Sequence, residues 1–313
     1  MTSNISLPSG QSSSDQGLLQ IFSDNFYLLT QQTKSKFINS GAAFFLPSKG
    51  KVINFTRMGR TELVAVSGRN PDKQYVDFST DNRQMVKSRY TRTFLIDEKD
   101  DINELITDPT SAIYETINYA KERTIDRVIA ANAVGSVLIG RPDRQTTSLS
   151  AANDGVLTVT ATSGLTYAKV QEITENFINN DVDYSMFQGS VLAISGAENT
   201  DLTSEDEFIN NDYIKTDAVG KGVVDSAGTY KTIMFAGSKT GGITVTNPVL
   251  PEASSVRTCM VLAPQSVGVA MEVNSLRIEQ AAGKVGSKEI TIDFWIGAMR
   301  KEGVLVQKVN TTI

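Results

Sequence analysis

Histidine is absent from this 313-residue chain, and cysteine occurs once. Without histidine the chain has no usual general base, no usual partner for a serine or cysteine nucleophile, and none of the commonest zinc ligand. A single cysteine, Cys259, excludes an internal disulfide and a thiolate metal cluster. It lies in the apolar run Cys259-Met260-Val261-Leu262-Ala263, which reads as core rather than as a thiol with a base beside it. No stretch approaches the roughly 18 to 20 apolar residues of a membrane-spanning helix, so no membrane partner is expected. The first twenty residues lack the basic start and apolar core of a secretory signal, and a cytoplasm-like compartment is expected. An excess of positive charge is missing too. Lys and Arg number 30 against 35 Asp and Glu, a net charge of −5, which argues against gripping nucleic acid through bulk charge.

What is present suffices for a sizeable core: 40% of residues are hydrophobic, and the length suggests about two folding units. Residues 1–17 are rich in Ser, Gln, Gly and Asn and read as an arm. Between residues 41 and 96, short apolar runs such as Val52-Ile53 and Leu63-Val64 alternate with turn signals such as Pro47-Ser48-Lys49-Gly50. This segment is basic, with Lys51, Arg57, Arg60, Arg69 and Lys73 among its cations. An acidic patch, Asp97, Glu98, Asp100, Asp101 and Glu104, follows directly. Two readings stay open: a solvated face, or a basic extended loop reaching an acidic surface on a neighbouring copy, with charge setting register.

The clearest helix runs over 108–134. Asp108 is suited to cap it, Pro109 fits its first turn, and Gly135 ends it. At 1.5 Å per residue it would be about 40 Å long, a rigid spine. A second helix opens at Thr166 with Leu165 and Val170 as a hydrophobic staple, and Ser204 with Glu207 resembles a capping box for a third. Val191–Ile194 reads as a buried strand. Further strands are expected at 156–160, 231–235, 243–245, 258–262, 290–296 and 304–309, the 290–296 run alternating with period two. Helices and strands without a repeated strand–helix unit point to α+β.

Motifs for chemistry fail. Ala236-Gly237-Ser238-Lys239-Thr240-Gly241-Gly242 lacks the glycine spacing of a phosphate loop and reads as a hairpin turn. Glu205-Asp206-Glu207 lies in the first turn of an expected helix, where acids suit the dipole. The acids from Asp97 to Glu104 do not match a calcium loop. No catalytic residue, cofactor or metal ligand is expected.

Three phrases occur in order: Asp108-Pro109-Thr110-Ser111, Thr166-Tyr167, and Ile290 to Arg300 with Gly297, Ala298 and Arg300. With this order of elements the chain resembles, over nearly its whole length, the major capsid proteins of tailed phages with the Hong Kong 97-type fold. The resemblance implies an α+β fold divided into an N-terminal arm (1–40), an extended loop (41–96), a peripheral domain (97–150 and 264–298) and an axial domain (151–263 and 299–313). It implies self-assembly into pentamers and hexamers of an icosahedral shell that encloses double-stranded DNA without sequence-specific binding. Separate scaffolding, portal and decoration proteins are the implied partners, the virion capsid the implied location, and the bacterial cytoplasm the place of assembly. Lys51, Arg57, Arg60, Arg69, Lys73, Asp97, Glu98, Asp100 and Asp101 are the expected contacts between subunits. Other readings are an encapsulin-like compartment shell, or a tail or receptor-binding protein.

Overall fold

The computed structural model describes residues 31–47, 49–67, 72–73, 75–96, 109–140, 146–160, 163–206, 222–237, 248–253, 255–283 and 287–312. After a single-turn helix, α1 (Lys36–Asn39), comes the long helix α2 (Pro109–Val134). Asp108, its expected cap, lies outside the described residues. Ile117, Ile125, Val128, Ile129 and Ala133 are buried along one stripe, as helical spacing requires. Gly135 ends the helix where a Cβ would sit 2.6 Å from the Ala131 carbonyl oxygen.

This helix lies against a sheet of order β1-β13-β14-β4, where β1 is Ala43–Phe45, β4 Ser88–Ile96, β13 Val267–Gln280 and β14 Lys288–Arg300. Near the start of the helix, Ile117 packs with Ile290, Ile292 and the half-buried Phe94. Ile290, Ile292, Phe294 and Ile296 are all buried as expected, with Thr291 and Trp295 half-buried between them; Asp293, expected on the outer face, is buried as well.

A second sheet has the order β7-β15-β12-β8-β10-β9, with β11 beside β12. Its strands are β7 (Leu157–Val159), β8 (Val191–Ser195), β9 (Ser226–Ala227), β10 (Tyr230–Phe235), β11 (Glu252–Ala253), β12 (Val256–Leu262) and β15 (Val306–Thr312). Every residue of β8 is buried, the mark of a central strand covered on both faces. Cys259 is in the same core, with no exposed surface. Helix α3 (Tyr167–Asn179) starts at Thr166 as expected, though the Thr166 side chain makes no capping hydrogen bond; Leu165 and Val170 are both buried. After a short α4 (Tyr184–Phe187), helix α5 (Gly196–Ser204) carries a capping box formed by Ser195 and Glu198.

The sequence did not announce this helix. Ser204, expected to open a later one, closes α5, its hydroxyl donating to the Asp201 carbonyl. Glu207, and the strand expected at 243–245, lie outside the described residues. Gly237, from the phosphate-loop-like phrase, is where the chain passes Arg257, whose Nη2 would be 2.6 Å from a Cβ there.

The third sheet, of order β2-β3-β5-β6, is built on a hairpin of β2 (Val52–Met58) and β3 (Thr80–Val86), with β5 (Val137–Ile139) and β6 (Thr147–Leu149) continuing it. Within 41–96, then, β1 and β4 pair with the first sheet, and the described residues beyond the paired strands of the hairpin are 59–67, 72–73 and 75–79.

Candidate functional site

The end of the β2–β3 hairpin is apolar and in water. Leu63 is 101% exposed, Tyr75 89% and Phe78 75%, and Val64, Val66 and Val76 are exposed with them. An isolated hairpin is marginally stable at best, and an apolar patch of this kind on a soluble surface marks a contact site. Full burial of one such side chain gains roughly 1.5–3 kcal/mol. A surface ion pair contributes about 0–1 kcal/mol. In any contact made by this tip, burial of the apolar row would therefore outweigh the charges around it.

Lys51 and Lys73 are exposed. Arg60 is exposed as well, 3.8 Å from Asp181, with its Nη1 donating to the Asn180 carbonyl at 3.4 Å. Arg57 behaves differently from the expectation of a partner on another copy. Its Nε donates to Asp81, across the hairpin, at 2.9 Å, and its Nη2 lies 3.6 Å from Asp154. Arg69, Asp97, Glu98, Asp100 and Asp101 lie outside the described residues.

Behind the tip, the hairpin is fixed to the body by charges that sequence reasoning did not single out as a site. Asp154 has no exposed side-chain surface, nor do Arg83 on β3 and Arg300 at the end of β14. Arg83 donates to both carboxylate oxygens of Asp154, one of them at 3.0 Å, and also to the Arg300 carbonyl at 3.0 Å. Arg300 Nε donates to Asp154 at 2.5 Å, and its Nη1 to the carbonyls of Ala133 and Gly135 at 3.0 and 2.5 Å. Burial pulls the Arg300 guanidinium below its ordinary value, against the opposing pull of Asp154. Beside this base a cleft of about 520 Å³ is lined by Arg57, Arg60, Asp81, Lys301 and Glu302, among others.

Two further buried carboxylates hold the body together. Glu198 accepts from Arg257 (2.8 Å), Ser195 (2.6 Å) and Thr311 (2.9 Å), linking α5, β12 and β15. Asp126 on α2 accepts from the Ser35 hydroxyl (2.5 Å), the Lys36 and Phe37 amides (3.0 and 3.3 Å) and the Gln32 side chain. Burial raises its pKa despite these bonds. The Cys259 thiol is pushed far above its ordinary range, first by burial, as suits a packed residue rather than a nucleophile.

The model of a family described as phage capsid protein matches residues 15–311. No curated protein matches the sequence. Among solved structures, the capsid of Helicobacter pylori bacteriophage KHP30 aligns with a TM-score of 0.67 at 9% identity, over 99% of this chain and 100% of that one. A chain from Gordonia phage Cozz gives 0.64 at 11% identity, covering 100% and 99%. The capsid of cyanophage P-SCSP1u gives 0.63 at 13%, covering 99% of each chain.

Proposed function

This chain belongs to the phage capsid protein family, and from that premise we propose that its subunits close into an icosahedral shell by laying the β2–β3 hairpin tip over a second copy. One observation carries the reading: Leu63, Val64, Val66, Tyr75, Val76 and Phe78 stand in water at the end of a hairpin. A shell needs contacts that repeat from copy to copy and close on themselves, and a projecting apolar tip supplies one half of such a contact. Lys51, Arg60 and Lys73 sit where they select alignment, with Arg69 as a further candidate and the Asp97 to Asp101 acids as candidate partners. Arg57 serves the base of the hairpin instead.

In this layout the sheet under α2 forms the peripheral part of each subunit, and the sheet centred on β8 the axial part at the middle of pentamers and hexamers. The enclosed cargo is double-stranded DNA held without sequence-specific contacts, as suits a net charge of −5. Assembly takes place in the bacterial cytoplasm, with separate scaffolding, portal and decoration proteins as partners. The subunit builds a wall and performs no chemistry of its own.

Removing the tip tests this. A chain in which residues 60–78 are replaced by a short Gly-Ser turn is expected to stay folded by circular dichroism and to form no shells under electron microscopy. Normal shells from that chain would falsify the proposal.

A further inference from the structure

The phrase Gly297-Ala298-Met299-Arg300 is unexplained by the tip contact, yet the base of the hairpin is built around it. At Gly297 a Cβ would lie 2.9 Å from the Val86 carbonyl oxygen and 3.0 Å from Met85 Cγ. The end of β3 thus crosses β14 at a distance only glycine permits. Three residues on, Arg300 joins Asp154, and Asp154 in turn holds Arg83 of β3 and, more loosely, Arg57 of β2. The Asp154 turn is itself seated on a glycine, because a Cβ at Gly303 would fall 1.9 Å from the Asp154 carbonyl oxygen. Both hairpin strands and the end of β14 therefore meet at one carboxylate, and Arg300 carries the link on to the carbonyls at the end of α2.

The charges at this point do not balance. Arg57, Arg83 and Arg300 face Asp81 and Asp154, and Arg83 Nε and Arg300 Nη2 are buried without a hydrogen-bond partner among the described residues. Neutralising Asp154 would take from the fully buried Arg300 the carboxylate it pairs with, and would leave the fully buried Arg83 only the longer 3.8 Å pair with Asp81, a state proteins leave by rearranging or admitting water.

We propose that Asp154, with the Gly297–Arg300 seat, is a positioning residue: it fixes the direction in which the hairpin leaves the body, and through that direction the curvature of the shell. The curvature step rests on the hairpin-contact reading above; the hinge step does not.

Spin labels placed at exposed Thr61→Cys near the tip and exposed Gln171→Cys on α3 read that direction inside one chain, with labelled protein diluted in an excess of unlabelled protein. Cys259 is buried with a raised pKa and stays unlabelled. The parent and Asp154→Glu are expected to give one narrow label–label distance and shells of one diameter. Asp154→Asn is expected to give a broadened or displaced distance and shells of mixed diameter. An unchanged distance in folded Asp154→Asn overturns the hinge. Should that variant fail to fold, Arg57→Gln, which touches the cluster from its half-exposed side, is read in the same way, and an unchanged distance there overturns it equally. A displaced distance with shells of one diameter overturns the curvature step alone. Absence of shells from the parent chain counts against the contact reading, and the hinge is then judged on distance.

Discussion

Asp126, Asp154 and Glu198 are buried carboxylates that each join segments far apart in sequence, and Glu198 ties stability to pH. Burial alone would raise the pKa of Glu198, but the Ser195 hydroxyl, the Arg257 guanidinium and the Thr311 hydroxyl outweigh it and hold the carboxyl below its usual range. A depressed acid contributes stability that is present above its unfolded value, about 4.3, and is lost as pH falls through the lower folded value. Glu198→Gln is therefore expected to be about 3 kcal/mol less stable at pH 7, since among the described residues Arg257 then keeps Glu252 alone as a charged partner. It should also lose less than the parent between pH 4.5 and more acid values. Urea denaturation across pH checks both points, and parallel curves for the two proteins would contradict the assignment. Gly303 is a sharper case. With 1.9 Å between a Cβ and the Asp154 oxygen, Gly303→Ala must displace the turn, and a loss of more than about 2 kcal/mol is expected. Thermal unfolding with no measurable shift would contradict the close approach.

Helix α2 organises the subunit at the scale of elements. One end packs on β14 and β4, and Arg300 hydrogen-bonds carbonyls at the other. Between them Asp126 fastens the segment that leads into α1, helped by Glu122, which accepts from the Ser35 amide at 3.0 Å, and by Arg123, which donates to Gln31 at 2.6 Å. Asp126→Ala leaves the Lys36 and Phe37 amides without that acceptor, at roughly 1–3 kcal/mol each. Trypsin cleavage after Lys34 and Lys36 is expected to accelerate while α2 keeps its helicity; an unchanged cleavage rate would show that Asp126 is not the fastening. The helix itself was legible in the sequence, because Pro109, the apolar stripe and Gly135 all state the same boundaries. So were β8, from its unbroken apolar run, and β14, from its alternation. Helix α5 was not. Its capping serine is also the last residue of β8, so the strand signal runs straight into the helix start. The hairpin was legible as strands and turns, but its limits were not, since β1 and β4 carry the same strand signature and only pairing assigns them to the first sheet. Of the Asp154 cluster only Arg57 and Arg300 stood out in the sequence, each for another reason; their meeting with Arg83 and Asp154 left no local trace, because the four come from separate segments that only the fold brings together.

For the whole molecule, the fold places a projecting apolar tip at one end of a hairpin and a rigid, charge-fixed base at the other. A subunit kept alone gains nothing from that arrangement, since the tip pays the cost of hydrating apolar surface. In the proposed shell many copies recover it at every contact, and weak rim charges would suffice to choose register because each contact repeats. The fold is shared with phage capsids at 9 to 13% identity, since layers and crossing points can persist while surface residues change. The most direct test is a cryo-electron microscopy reconstruction of particles formed by the full chain, read at residues 59–79. The account predicts closed shells in which Leu63, Tyr75 and Phe78 are buried against a second subunit. Shells in which these side chains stay in solvent, or fold onto their own subunit, would contradict it.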